Sequence, residues 1–353
     1  MGALFQKTVK RLFLWILLPV LITACGGLRF TETATLSQSP TPTENLSGLS
    51  PEAVATLGSL EKVDNYPLYV MHYVGETNRP QTGWIWPEKS DFACSLFASF
   101  GQGSDLLFGR NFDWEFSPAL LLFTDPPDGY AAVAMVDLTF LGISPTAAES
   151  LIDLPLADRT ALLSAPSMPF DGMNEYGLTI AMAAVPEETR DAAGYDWAKP
   201  TIGSIGIIRE ILDHARNVDE AVSLFEQYNI DFTGGPPLHY LIADTFRKAV
   251  LVEFYQGEMV ILPNEAPWHL ATNHLRCNAK DDGGCPRYHI LSERLTIAEG
   301  HLDAEAALQL LSEVAQSGTQ WSVVYNITSG DVSIVSGKSY DTVFTFQLNR
   351  ENP

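Results

Sequence analysis

The sequence predicts a layered α+β fold. Strand-like apolar segments occur in consecutive blocks joined by tight turns, and paired amphipathic helices separate these blocks. A regular alternation of single strands with helices would instead indicate a parallel sheet, and the sequence shows neither that alternation nor an internal repeat. With 353 residues, of which 46% are hydrophobic, the chain can bury one large core.

The first half of the chain is predicted to be mainly strands. A short helix begins near Ser50-Pro51-Glu52, and residues 142–169 are expected to be loop-rich or weakly helical. A turn is predicted over Asp171–Gly177, because Asp, Gly and Asn cluster there before an apolar run. Strands are predicted over residues 66–74, in a hairpin over 94–114, between 120 and 141, and over 178–185.

The second half begins with two predicted helices, over residues 202–216 and 218–228. Apolar residues recur there at helical spacing, and Asn217 between them is a suitable N-cap. Two further helices are predicted over 286–298 and 303–316 on the same grounds. The remaining predicted strands cover residues 238–243, 249–255, 259–262, 323–325, 332–335 and 342–348.

The N-terminus has the pattern of a secretory signal peptide over residues 1–24. Basic residues precede an apolar run over 12–24, which is shorter than the roughly 20 residues that span a bilayer. Cys25 directly follows the expected cleavage site and resembles the lipidated cysteine of bacterial lipoproteins; the alternative is an ordinary signal peptide with an incidental cysteine. The prediction is an extracytoplasmic protein, anchored through Cys25 to the membrane of a bacterial cell envelope.

Composition separates the rest of the chain into a tether and a folded body. Residues 25–50 are rich in Ser, Thr and Pro without hydrophobic periodicity, which predicts a tether, and residues 51–93 lead into the hairpin. The formal net charge of −22 argues against nucleic acid as a partner and against adhesion to anionic lipid through basic patches.

The hairpin carries the residues with the clearest chemistry. It returns Arg110 and Asp113 towards Cys94, so that a thiol, a guanidinium and a carboxylate come within reach of one another. A guanidinium near 4 Å contributes up to about 4 kcal/mol at an effective dielectric constant of about 20. We therefore expect Arg110 to lower the pKa of Cys94 and favour the thiolate. The alternatives are a structural cysteine and a surface salt bridge.

Cys277 and Cys285 flank a short polar loop. In an oxidising compartment they can form a disulfide that stabilises the fold by about 2–3 kcal/mol. Two free thiols, or metal ligands at an unusual spacing, are the alternatives. No His-Glu-x-x-His or comparable metal spacing and no dinucleotide fingerprint occurs in the sequence, so neither a metal nor a cofactor is expected.

The ordered motifs resemble the choloylglycine hydrolase family of linear-amide hydrolases. That family includes bile salt hydrolases, penicillin V acylases, acid ceramidase and N-acylethanolamine acid amidase, and the resemblance covers about residues 94–350. The segments that carry it are Cys94, Gly109-Arg110-Asn111-Phe112-Asp113-Trp114, Asn174-Glu175-Tyr176-Gly177-Leu178, His239-Tyr-Leu-Ile-Ala-Asp244, Val250-Leu-Val-Glu253, Thr272-Asn273 and Pro286-Arg287-Tyr288.

The resemblance implies a four-layer αββα sandwich and an N-terminal cysteine nucleophile. In such enzymes cleavage exposes the cysteine, so residues 51–93 are expected to be a pro-segment and 94–353 the hydrolase domain. Cys94 is then the nucleophile and its own α-amine the base, Arg110 supports the thiolate and substrate, and Asp113 holds the amine. Asn273 donates to the oxyanion, and Arg287 completes the polar network.

Two departures from bile salt hydrolases stand out. A second oxyanion-side Asn is replaced by the stretch Ala181–Ala184, and Arg287 lies only fourteen positions after Asn273, as in the ceramidase branch. Asn174 is expected to be a turn residue, of a type that tolerates left-handed geometry. The expected partner is a small acyl-amide substrate; the alternatives are an acyltransferase and a non-catalytic surface binding lipoprotein.

Overall fold

Two β-sheets face each other in the computed structural model, which describes residues 48–77, 93–186, 194–278 and 284–350. The first sheet runs in the order β1 (Glu61–Asp64), β2 (Leu68–Tyr73), β5 (Ala119–Thr124), β6 (Ala132–Asp137), β7 (Asp171–Asn174), β8 (Thr179–Ala184), β11 (Leu238–Ala243), β12 (Ala249–Tyr255) and β13 (Glu258–Pro263). Its neighbouring strands are antiparallel except for the parallel pair β2–β5.

The second sheet carries the predicted hairpin. Its order is β14 (Trp268–Ala271), β3 (Ser95–Ser99), β4 (Leu107–Asp113), β15 (Thr319–Asn326), β16 (Asp331–Ser336) and β17 (Phe344–Gln347). Strands β3 and β4 pair antiparallel from Ser95 opposite Asn111 to Ser99 opposite Leu107, so the hairpin is confirmed. Gly109 is required in it, because a Cβ there would lie 2.5 Å from the ring of Phe97.

Helices cover the outer faces of both sheets. α3 (Gly206–His214) and α4 (Val218–Phe225) pack on strands β7, β8, β11 and β12, and α5 (Pro286–Ile297) and α6 (Ala304–Glu313) pack on β14, β3, β4 and β15. α1 (Pro51–Gly58), α2 (Pro145–Glu149) and short 3₁₀ turns between 138 and 167 complete the described helices. The order is helix, sheet, sheet, helix, and the predicted αββα sandwich is confirmed.

The strands alternate between two apolar cores, as a period of two residues requires. Leu96 and Ala98 of β3 face the large core between the sheets, together with Trp321 and Met135. Phe97 faces the opposite way, into a smaller core under α5 and α6 that contains Leu291 and Leu311. The hairpin is therefore buried on both faces, which fixes its register.

Several element boundaries differ from the predictions. The predicted helix over 202–216 is shorter, because Thr201–Gly203 forms strand β9 and pairs in parallel with β10 (Asn229–Asp231). Asp171–Asn174 is a strand, and the turn follows it, with Gly177 in left-handed geometry at φ +78°. Asn174, expected in the turn, is the last residue of the strand, and the left-handed residue of the turn is Gly177. Asn217 caps α4 as predicted, accepting from the Glu220 N–H at 3.0 Å.

Residues 61–73, which precede Cys94 in the chain, belong to the folded body. Strands β1 and β2 form one edge of the first sheet, and β2 pairs with β5 from Leu68 opposite Ala119 to Tyr73 opposite Thr124. The predicted boundary of a pro-segment at residue 93 stays a prediction. The predicted signal peptide, Cys25 and most of the tether lie outside the described residues. No described helix has the length and apolar character needed to cross a bilayer.

Candidate active site

The hairpin brings Cys94 and Arg110 together. Cys94 immediately precedes β3, and Arg110 lies opposite Leu96 in the neighbouring strand. Arg110 Nη2 lies 3.9 Å from Cys94 Sγ, within hydrogen-bonding range for sulfur. Both residues are buried, with Cys94 2% and Arg110 0% exposed. The spacing of sixteen residues therefore places the cation beside the thiol, as predicted.

Arg110 is also paired with an acid that the sequence reading missed. Its Nη1 donates to the carbonyl of Phe170 at 2.6 Å and to the carboxylate of Asp171. The Tyr325 hydroxyl donates to the other Asp171 oxygen, so both carboxylate oxygens have partners. Burial acts to raise the pKa of Asp171, while Arg110 and Tyr325 oppose it. A buried ion pair thus fixes the guanidinium beside the thiol.

Asp113 ends β4 with one carboxylate oxygen satisfied and one free. Its Oδ1 accepts from the Thr319 hydroxyl at 2.5 Å, whereas its buried Oδ2 has no hydrogen-bond partner among the described residues. Burial raises the pKa of Asp113 to about 6, and the Thr319 hydrogen bond opposes this rise. An orphaned carboxylate oxygen is costly, and it is suited to accept from a cationic donor.

Asn273 and Arg287 close the site from the other side. The backbone N–H of Cys94 donates to Asn273 Oδ1 at 2.6 Å, and Arg287 Nη2 donates to the same oxygen at 3.0 Å. The other Arg287 nitrogen donates to Ser95 Oγ at 3.0 Å and to the Cys94 carbonyl. The contacts of Asn273, Arg287 and Arg110 therefore converge on Cys94.

Comparisons with known proteins agree with the fold described above. The family model of acyl-coenzyme A:6-aminopenicillanic acid acyl-transferase matches residues 162–322. A mutant conjugated bile acid hydrolase from Clostridium perfringens is 18% identical with a TM-score of 0.53, covering 73% of this chain and 93% of that chain. Penicillin V acylase from Agrobacterium tumefaciens is 17% identical with a TM-score of 0.52, covering 72% and 86%. No curated protein sequence matches significantly.

The resemblance to the choloylglycine hydrolase-like N-terminal-nucleophile family is confirmed. The two solved structures support the fold, and the family supports an enzyme that acts on amides, by hydrolysis or by acyl transfer. The roles of individual residues of this chain stay predictions.

The protonation state of Cys94 differs from the expectation. Burial raises the pKa of the thiol, and the nearby Asp113 raises it further, while Arg110 and Arg287 act in the opposite direction. The expected thiolate is therefore disfavoured while the chain is continuous at Ala93–Cys94. The charge of Arg110 alone would lower the pKa of the thiol, but the loss of hydration on burial outweighs it.

Asn273 contacts strand β8, the strand that carries a second side-chain amide in bile salt hydrolases. Here the contact is with a backbone carbonyl. Asn273 Nδ2 donates to the carbonyl of Ala184 at 2.8 Å. An amide nitrogen carries two hydrogens. The contact with Ala184 uses one of the two hydrogens of Nδ2, and no side-chain amide occurs over Ala181–Ala184.

The predicted disulfide between Cys277 and Cys285 does not form in the structure, where both are free thiols. Each is engaged separately. Cys285 Sγ accepts from the Thr272 hydroxyl at 3.4 Å, whereas the Cys277 N–H donates to Glu253 at 2.7 Å. Among the described residues no cluster of His, Cys, Asp and Glu has the arrangement of a metal site.

Proposed function

We propose that this chain is a cysteine amidohydrolase of the N-terminal-nucleophile type, acting on linear, non-peptide N-acyl amides through a thioester at Cys94. One observation carries the proposal. The groups such chemistry needs surround a single buried thiol: a guanidinium on the sulfur, an amide and a second guanidinium beside the Cys94 backbone, and an acid with a free oxygen.

The proposal requires cleavage between Ala93 and Cys94. The thiol attacks the carbonyl carbon of Ala93, the acyl group moves from nitrogen to sulfur, and water hydrolyses the resulting thioester. Cys94 is left with a free α-amine. Such an amine has a pKa of about 7.7–8.0, which suits a general base near neutral pH. The free Oδ2 of Asp113 supports the presence of this α-amine, because the protonated amine would supply the hydrogen bond that Oδ2 lacks.

The catalytic cycle then follows from the same groups. The α-amine takes the proton of the thiol, and the sulfur attacks the substrate carbonyl. The oxyanion accepts from the free hydrogen of Asn273 Nδ2, and the departing amine takes the proton back. Water hydrolyses the acyl thioester to a carboxylic acid and regenerates the thiol. One oxyanion donor is typically worth about 10²–10³ in kcat.

Replacement of Cys94 tests the hydrolase directly. Purified wild type, Cys94→Ala and Cys285→Ser are assayed for acyl release from a panel of N-acyl amides. Only Cys94→Ala is expected to lose activity, because Cys285→Ser removes a thiol that has no contact with Cys94. Acyl release by Cys94→Ala at the wild-type rate would refute the proposal.

Mass spectrometry tests the cleavage. Under denaturing conditions wild type should give two fragments, the larger starting at Cys94, while Cys94→Ala stays intact. On a native sizing column the two fragments should stay together, because β1 and β2 remain strands of the first sheet. An active but uncut chain would contradict this part of the proposal.

Acyl transfer is the second candidate, and the matching family model favours it, since that family is named for an acyltransferase. The same thioester would then react with an amine in place of water. Adding primary amines to the assay distinguishes the two outcomes, because a transferase forms N-acylated amine at the expense of free acid.

We also propose that the protein is extracytoplasmic and anchored through lipidated Cys25. The support is the sequence pattern before that residue. Replacing Cys25 with Ser should release the protein from the membrane fraction of cells and abolish labelling by a fatty-acid analogue. Membrane retention of the unlabelled variant would contradict lipid anchoring.

A further inference from the structure

A buried histidine–glutamate pair lies behind the loop that carries Asn273. His239 of β11 and Glu253 of β12 are both 0% exposed, and Nδ1 of His239 lies 3.0 Å from Oε1 of Glu253. Among the described residues, the hydrogen bonds of the pair go to each other and to backbone groups, and none goes to Cys94. Burial of such a pair has a large desolvation cost, which only good geometry and additional hydrogen bonds offset.

Those additional hydrogen bonds go to the backbone on both sides of Asn273. Before it, Nε2 of His239 lies 2.7 Å from the carbonyl oxygen of Thr272. After it, the carboxylate of Glu253 accepts from the Arg276 N–H at 2.8 and 3.0 Å and from the Cys277 N–H at 2.7 Å. The pair therefore fixes the two ends of the segment from Thr272 to Cys277.

The contacts of His239 call for one hydrogen more than a neutral imidazole beside a carboxylate carries. Both ring nitrogens of His239 face acceptors, one a carboxylate and the other a carbonyl, and a neutral imidazole has only one N–H. The imidazolium satisfies both. Burial acts to raise the pKa of Glu253, but the hydrogen bond and charge of His239 and the N–H groups of the loop outweigh it and lower the pKa to about 2.

We propose that His239 and Glu253 are positioning residues for Asn273, and this rests on the proposed function. Asn273 follows Thr272 directly, so a shift of the clamped backbone moves its amide relative to Cys94 and Ala184. An oxyanion donor must lie within about 2.7–3.1 Å of the oxygen it stabilises, and a displacement of about 1 Å can cost about 10²-fold in rate. The pair limits that displacement.

Kinetic analysis of Glu253→Gln tests the proposal. Gln retains the volume of Glu253 but loses its negative charge. That charge strengthens the hydrogen bonds from three donors: the His239 ring and the N–H groups of Arg276 and Cys277. We expect kcat to fall about 10-fold or more with KM within about twofold, because oxyanion stabilisation belongs to the transition state. The factor should be the same for two amides with different acyl groups, since every substrate forms the same oxyanion.

Asp137→Asn is the matched control. Asp137 is a buried carboxylate of β6 that accepts from the Thr139 N–H at 2.8 Å and the Thr139 hydroxyl at 2.7 Å, and among the described residues it has no hydrogen bond to a residue of the site. Both variants are compared at equal folded fraction, checked by thermal unfolding. We expect Asp137→Asn to retain kcat. Equal kcat losses in both variants would overturn the proposal.

The double variant His239→Gln/Glu253→Gln covers the case in which the single variant does not fold. Two neutral amides leave no unpaired buried charge, so the double variant should fold and lose kcat by about 10-fold or more against wild type, with KM within about twofold. Wild-type kcat in the double variant would overturn the proposal. If wild type itself hydrolyses no amide of the panel, the proposed function fails. Normal kcat in Glu253→Gln refutes only the proposal that His239 and Glu253 position Asn273.

Discussion

The orphaned oxygen of Asp113 predicts that the uncut chain is destabilised at neutral pH. The test uses Cys94→Ala, which stays uncut, and compares it with Cys94→Ala/Asp113→Asn. Asparagine retains an oxygen for the Thr319 hydroxyl but carries no charge that must lose its hydration. At pH 7 we therefore expect the second variant to be the more stable one.

The magnitude follows from the pKa of Asp113. In the folded chain it is about 6, and in the unfolded chain it is about 3.9. The folded state therefore binds the proton more tightly, so the stability contributed by protonated Asp113 is complete below pH 4 and is lost as the pH rises to 6. A pKa difference of about 2 corresponds to about 3 kcal/mol of unfolding free energy.

Urea unfolding of both variants at pH 4, 5, 6 and 7 measures this term. The free-energy difference between the variants should grow from about zero at pH 4 to about 3 kcal/mol in favour of the Asn variant at pH 7. Asp137, whose pKa burial also raises to about 6, is present in both chains and cancels in the difference. A difference that does not change with pH, or an Asn variant that is less stable at pH 7, would refute the reasoning.

Three further predictions concern neighbouring groups. Asp171→Asn leaves Arg110 as an uncompensated buried charge and should lower the unfolding free energy by about 3–5 kcal/mol in urea titration; a loss under 1 kcal/mol would contradict the role of the pair. Asn174→Ala should destabilise by at least about 2 kcal/mol without changing the kcat of the folded enzyme, because its amide makes hydrogen bonds with four backbone groups, and three of these bonds are buried. Iodoacetamide at pH 7 should alkylate Cys285 before Cys277 in peptide mass mapping. Hydrogen bonds from the side chains around Cys285 outweigh burial and lower its pKa to about 6. Burial and an adjacent carboxylate raise the pKa of Cys277 to about 12.

The sequence was most informative where local pattern and chain topology agree. The hairpin needs only alternation and a turn, and both are visible between Cys94 and Asp113. Strand β14, which leads into Asn273, was missed because Trp268–Ala271 is four residues long and pairs with β3, far away in the chain. Its strand character comes from that pairing, and a window of neighbouring residues does not contain it.

The acid beside Arg110 shows a second kind of miss. Asp171 stands next to Gly172 in a segment whose composition is typical of a turn, yet it is a fully buried strand residue. The cation that compensates its charge is Arg110, and the two residues are 61 positions apart. A guanidinium predicted on a strand that is buried on both faces implies a buried acid beside it, and this is the signal in the sequence that points to Asp171.

On the proposed mechanism, cleavage before Cys94 also changes the protonation of the buried thiol. In the continuous chain, loss of hydration keeps the sulfur protonated, and its backbone N–H is held by Asn273 Oδ1. Cleavage replaces that N–H with an amine that can accept the thiol proton and, once charged, can donate to Asp113. The new positive charge opposes the effect of burial on the pKa of both Cys94 and Asp113. The same event that exposes the nucleophile thus removes the electrostatic cost that kept it inactive, so activity and the pH dependence of stability should change together on cleavage.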